Sequence, residues 1–120
     1  MTIQRQKTHL KYKKNKEKML INEIEKLDGT INFDDISQVD QSSEISLIVD
    51  ELKEDLFQAS LPFEQILDIG WYPEFSETGA FKVSLIEHLD WENPIHSEKA
   101  KNWTDLKIAL ENTLKKVRIK

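Results

Sequence analysis

With 120 residues, 38% of them apolar and 32% charged, the chain has the length of one domain with one core, and its lack of cysteine excludes disulfide scaffolds and thiolate-held zinc or iron–sulfur centres. The formal charge of −5 averages over three unlike blocks. Residues 1–18 hold seven basic groups against Glu17, residues 101–120 hold six against two carboxylates, and residues 19–100 hold four lysines against nineteen carboxylates, a net −15. A field of that sign repels phosphate polyanions and anionic membranes and speeds encounter with basic partners in a salt-dependent way.

No run approaches the ~20 apolar residues of a membrane span. The basic N-terminal stretch also lacks the apolar segment of a secretory signal, so the expectation is a soluble, cytoplasmic single domain over residues 1–120.

Residues 8–27 contain neither Gly nor Pro and place Leu20, Ile21, Ile24 and Leu27 at helical spacing. The earlier turns are basic, with Leu10 and Tyr12 their few apolar groups, and predict a frayed or projecting arm. Asp28-Gly29 ends the helix, with glycine expected to supply the left-handed cap. Residues 30–43 read as a loop with a short turn around Phe33-Asp34-Asp35-Ile36. A second helix follows, capped by Ser42 or Ser43, with Ile45, Ile48, Val49, Leu52 and Leu56 on one stripe and Asp50, Glu51, Glu54 and Asp55 outside.

Residues 65–72 alternate, with Leu67, Ile69 and Trp71 on one face and Asp68, Gly70 and Tyr72 on the other. After the turn formers of residues 73–79, the alternation resumes with Phe81, Val83 and Leu85 opposed to Lys82, Ser84 and Ile86, which predicts an antiparallel hairpin. Residues 95–100 suggest a short third strand after Pro94. The last helix spans about residues 104–117, with Asn102 as cap, Trp103, Leu106, Leu110, Leu114 and Val117 as its stripe, and Lys115, Lys116 and Arg118 at its end. The expected fold is α+β: two N-terminal helices, a small antiparallel hairpin or meander of two to three strands, and a C-terminal helix packed on the sheet.

Enzymatic signatures are weak. Gly29, Gly70 and Gly79 are isolated, so no phosphate-binding loop or nucleophile elbow exists, and neither catalysis nor a cofactor nor a metal is expected. In His88-Leu89-Asp90-Trp91-Glu92, followed by His96, an unbroken strand would align an imidazole with two carboxylates. Asn93-Pro94 interrupts that strand, and solvated surface groups are the favoured reading. Trp71 and Trp103 lie on apolar stripes and belong to the core, whereas Trp91 has acidic flanks and Tyr72 points away from the Trp71 face. The Lys-rich arm (Lys7, Lys11, Lys13, Lys14, Lys16 and Lys18) supports an alternative function as a nucleic-acid-associated adaptor.

The run Leu67-Asp68-Ile69-Gly70-Trp71-Tyr72-Pro73-Glu74, then Gly79-x-Phe81, then Asp90-Trp91-Glu92-x-Pro94 and a terminal amphipathic helix resembles the small bacterial immunity proteins of polymorphic-toxin and contact-dependent growth inhibition systems. The resemblance covers about residues 66–115 and leaves the first third unmatched. It implies a cytoplasmic protein that binds one cognate toxin domain, often a basic nuclease, and blocks it without chemistry, with no small-molecule substrate, membrane or nucleic acid as partner. Tyr72, Glu74, Glu77, Asp90, Trp91 and Glu92, at the turn and exit of the hairpin, are the expected partner-binding residues. The acidic stretch from Asp50 to Asp55 is the second choice.

Overall fold

Five segments form one antiparallel sheet: β1 (Thr30–Asp34), β2 (Phe57–Leu61), β3 (Gln65–Tyr72), β4 (Ala80–Glu87) and the largely polar β5 (His96–Ala100), in spatial order β1-β2-β3-β4-β5. In this computed structural model residues 20–119 are described; the basic arm 1–18 and the first part of the helix expected over residues 8–27 lie outside them. A helical segment, α1, over residues 20–26 precedes the sheet, a single turn, α2 (Ile45–Ile48), separates β1 from β2, and α3 (Trp103–Leu114) follows β5.

The expected hairpin is present, with β3 paired to β4 from Gln65 opposite Glu87 to Tyr72 opposite Ala80. Asn102 caps α3, its side-chain oxygen accepting from the Asp105 amide at 2.8 Å. The sheet of two to three strands and the two N-terminal helices are overturned by the five-stranded sheet. Residues 30–34, expected to be loop, form an edge strand whose Asn32 amide donates to Gln58 (3.1 Å) and Ser60 (3.0 Å) on β2.

The stripe from Ile45 to Leu56 is helical only as far as Ile48, after which a 3₁₀ turn covers Val49–Glu51. Neither serine caps α2; both hydroxyls donate instead to the Asp40 carboxylate. Ile48, Leu52 and Leu56 are still buried, so the apolar spacing is met by a chain that unwinds rather than by a continuous helix. Unwinding is favoured because Phe57-Gln58-Ala59-Ser60-Leu61 has period two, and because β3 offers backbone partners: Leu56 N–H donates to Ile69 C=O and Trp71 N–H to Lys53 C=O, both at 2.9 Å.

The end of α1 also differs in detail from expectation. Asp28, not Gly29, takes the left-handed conformation (φ 60°), and Gly29 N–H closes the turn onto Ile24 C=O at 2.9 Å.

Alternate side chains on a strand point to opposite faces. One face gathers Phe57, Ala59, Leu67, Ile69, Trp71, Phe81, Val83 and Leu85, and Ile24 of α1 with Leu106 and Ala109 of α3 completes the same buried cluster, so both helices cover this face. Phe81 sits at its centre, edge-on to Trp71 at 4.8 Å and 4.9 Å from Trp103. Gln65, 1% exposed, binds the chain beyond α3: its amide nitrogen donates to Pro62 C=O (2.7 Å) and Arg118 C=O (3.0 Å), and its oxygen accepts from Arg118 N–H (2.9 Å).

On the opposite face, Gly70 lies directly under the crossing of residues 53–55. A Cβ at this position would sit 1.9 Å from the Glu54 carbonyl oxygen, so the crossing chain would have to move. Gly70→Ala is therefore expected to destabilise the fold by about 1–3 kcal/mol, the range for overpacking a fitted site. A lowered urea midpoint at unchanged slope would show it.

Candidate functional site

Among the described residues no helix covers the second face of the sheet, and its side chains form a concavity of about 520 Å³. The strands supply its floor: Gln58 from β2, Asp68 from β3, and Ser84 and Ile86 from β4. Tyr72 and Lys82 stand at one side, Asp55 enters from the crossing chain, and Trp91, Glu92 and Pro94 close the other side. A second cavity, of about 570 Å³, lies between α1 and α3 against Leu20, Leu27, Leu110 and Leu114 and brings no aromatic ring to its surface.

The far wall depends on a reversal at the end of β4. His88 and Leu89 both have positive φ (56° and 60°), a turn that two L-residues adopt at a steric cost, and Asp90 N–H closes it onto Glu87 C=O at 3.1 Å. The turn is held from the neighbouring β2–β3 connection, where Glu64 C=O accepts from His88 N–H (3.0 Å) and the Glu64 carboxylate meets His88 Nδ1 (2.8 Å). The chain rejoins the sheet where Ile95 N–H donates to Leu85 C=O at 2.8 Å. Residues 88–94 are thereby folded back, and Ile86, fully buried but separate from the main core, shares the cavity lining with Trp91 and Pro94.

Three of the six expected partner-binding residues, Tyr72, Trp91 and Glu92, line this one concavity; the two rings remain 39% and 48% exposed. Glu74 lies beside it in the β3–β4 connection, accepting weakly from the Glu54 amide at 3.4 Å. Glu77 is exposed further along the same connection. Asp90 is engaged by the Asn93 side chain, at 3.2 Å to each carboxylate oxygen.

The turn and the exit of the hairpin stand at opposite ends of an eight-residue strand, about 23 Å apart, so these six side chains are not one cluster. From the second choice, Asp55 belongs to the concavity. The alignment of residues 88, 90 and 92 does not occur, because β4 stops at Glu87. His96 instead pairs with Glu98 (2.9 Å), and among the described residues no group of three or more His, Cys, Asp or Glu could hold a metal.

Asp68 was not singled out from sequence, although an aspartate in the middle of an apolar strand is itself a signal. It is 9% exposed. Burial raises its pKa above the ordinary 3.8; a hydrogen bond from Gln58 opposes this, Asp55 nearby reinforces it, and Lys82 opposes it. Tyr72 is likewise raised above 10.0, first by burial and then by Asp68, Asp55 and Glu54, so it stays a neutral phenol at physiological pH. Among the described residues no lysine or arginine forms an ion pair with Asp55, Asp68 or Glu92.

A carboxyl whose pKa is raised in the native state binds its proton more tightly there than in the unfolded chain. Stability then falls as pH rises from about 3.8 through the raised value and stays at the lower level above it. Asp68→Asn removes that loss and retains the side-chain size. The variant is expected to be more stable than the parent near neutral pH, with the advantage shrinking below about pH 4, as urea unfolding at the two pH values would measure. No protein-family model matches this chain, and no match was found among curated proteins or solved structures.

Proposed function

We propose that this protein is a bacterial immunity protein that binds one cationic toxin domain, of the kind deployed by polymorphic-toxin and contact-dependent growth inhibition systems, and neutralises it in the cytoplasm. The observation that carries the reading is the sheet face that no described helix covers, where two half-exposed aromatic rings and three carboxylates surround one concavity. Aromatic groups exposed on a sheet face are the usual energetic anchors of an interface with another protein. The net −15 of residues 19–100 supports a basic partner, since opposite fields raise the encounter rate.

Blocking needs no catalysis. A toxin that handles a polyanion must present cationic side chains to phosphates. A protein that covers those side chains with its own carboxylates occupies the substrate's place, whether it sits in the active site or on the adjoining surface. The reading involves no cofactor and no small-molecule substrate.

The partner to test is the variable C-terminal domain of a large secreted protein encoded beside this chain's gene. Co-expression of the full chain is expected to restore growth to cells producing that domain, and toxicity that persists at equal expression would overturn the proposal. In the purified complex, Tyr72→Ala and Trp91→Ala are each expected to raise Kd by at least about 30-fold, equivalent to ~2 kcal/mol. Lysine at Asp55 and Glu92 together should slow association and flatten its salt dependence; stopped-flow rates identical to the parent's at low salt would place the interface elsewhere.

A further inference from the structure

We infer that the outer-face concavity receives one arginine side chain of the basic partner, its guanidinium set against the rings of Trp91 and Tyr72 and above the Asp68 carboxylate. The inference rests on the proposed function for the chain that carries the arginine, and on the geometry of the cavity for the chemistry of the group.

The argument begins with unbalanced charge. Among the described residues Asp55, Asp68 and Glu92 share the cavity with one cation, Lys82, and none of the three carboxylates is ion-paired to a described lysine or arginine. Asp68 is nine-tenths buried in the floor, where an ionised carboxylate has lost most of its water and keeps the Gln58 hydrogen bond. Burial, reinforced by the nearby Asp55, raises its pKa, and the Gln58 hydrogen bond and Lys82 offset this only in part. An entering cation restores that balance, and an entering anion worsens it.

The rings choose among cations. A divalent metal needs several convergent oxygen ligands at close range and gains little from two aromatic walls, and no such ligand group occurs among the described residues. A lysine ammonium is compact and strongly hydrated, so entering a half-apolar cavity between indole, phenol, Ile86 and Pro94 strips water it holds tightly. A guanidinium is planar and weakly hydrated, stacks on aromatic faces and offers a fork of N–H donors to carboxylates. Trp91 and Tyr72 keep about half and two-fifths of their surface exposed, which leaves ring area for such contact. A side chain fits this shallow setting better than a free amino acid, because the acidic cavity repels a free α-carboxylate while a peptide backbone carries none.

The test uses the full chain and arginine capped at both ends as Nα-acetyl-arginine methylamide, with the capped lysine, capped citrulline and free arginine as comparators. Titration followed by ¹H–¹⁵N spectra is expected to move the Trp91 indole N–H and the amides of Asp68 and Ser84. Capped arginine should bind at least 5-fold more tightly than capped lysine, with no saturable shift for capped citrulline, its neutral isostere. Asp68→Asn, which is expected to fold, should weaken capped arginine at least 10-fold, Glu92→Gln should weaken it less, and Lys82→Met should tighten it.

Equal binding of citrulline, shifts confined to other surfaces, or weakening by Lys82→Met would overturn the inference. Saturation by free arginine alone would also overturn it, since that marks an amino-acid site. The two readings fail separately. Toxin neutralisation without any arginine shift removes the pocket assignment alone, whereas an arginine shift of the expected pattern upholds it even where the toxin is not neutralised.

Discussion

The contact between Gly70 and the Glu54 carbonyl is the constraint from which the candidate site follows. Gly70 is flanked by Ile69 and Trp71, both fully committed to the core on the other side of the sheet, so the strand cannot shift away from whatever lies above it. With only a hydrogen on its open side, it lets another backbone pass over at close range. That passage is pinned at both ends by backbone hydrogen bonds to β3, from Trp71 N–H to Lys53 C=O and from Leu56 N–H to Ile69 C=O. Glu54 and Asp55, between the pinned points, bulge from the edge of β3 over Gly70, and Asp55 becomes a wall of the concavity. A side chain at residue 70 would set crossing and core packing against each other.

The opposite wall is held by a different device and at a different cost. Left-handed backbone at a non-glycine residue costs roughly 1–2 kcal/mol, and the two turns that meet here contain four such residues: Phe63 and Glu64 between β2 and β3, and His88 and Leu89 after β4. The turns are bonded to each other through Glu64 and His88, by backbone and by side chain, so each offsets part of the other's unfavourable conformation. Their product is the reversal that returns Trp91 over Ile86. Add the buried carboxylate of Asp68, which no described lysine or arginine ion-pairs, and the outer face concentrates several unfavourable features.

The parts legible in the sequence were those where one periodicity runs unopposed. β3 and β4 alternate cleanly over eight residues each, and α3 carries its own cap, so their positions follow from local rules. β2 did not emerge because residues 45–56 place their apolar groups at a spacing that suits a helix, and that reading runs on into Phe57–Leu61. The structure satisfies the same burial with irregular chain, since partners on β3 outweighed the few intrahelical bonds a short helix would add. At the site, Tyr72 and Trp91 were legible as aromatics without a core stripe. The relation of Asp55 to Asp68 was not: it depends on which residues cross over Gly70, a long-range fact absent from any local window. Glu77 and Asp90 illustrate the converse, since nearness to a turn in sequence does not bring residues at opposite ends of β4 together.

Charge is sorted across the sheet as well as along the chain. α3 and its flanks expose Lys101, Lys107, Lys115, Lys116 and Arg118 among Asp105 and Glu111, while Asp55, Asp68 and Glu92 share the open-side concavity with Lys82. On the proposed reading, the net acidic field of residues 19–100 draws a cationic protein in before any contact forms. At contact the long-range field has little left to discriminate, because any basic surface satisfies it. Selectivity must then reside in a feature with shape, and the concavity has the required combination: rings that reward a flat apolar cation, a buried carboxylate that rewards desolvated pairing, and Lys82 to penalise a group that fails to displace or avoid it. On the proposed reading, encounter rate rests with the carboxylates of this face and selectivity with the shape of its cavity. Charge reversal of its carboxylates should then act mainly through association, and truncation of its rings through dissociation.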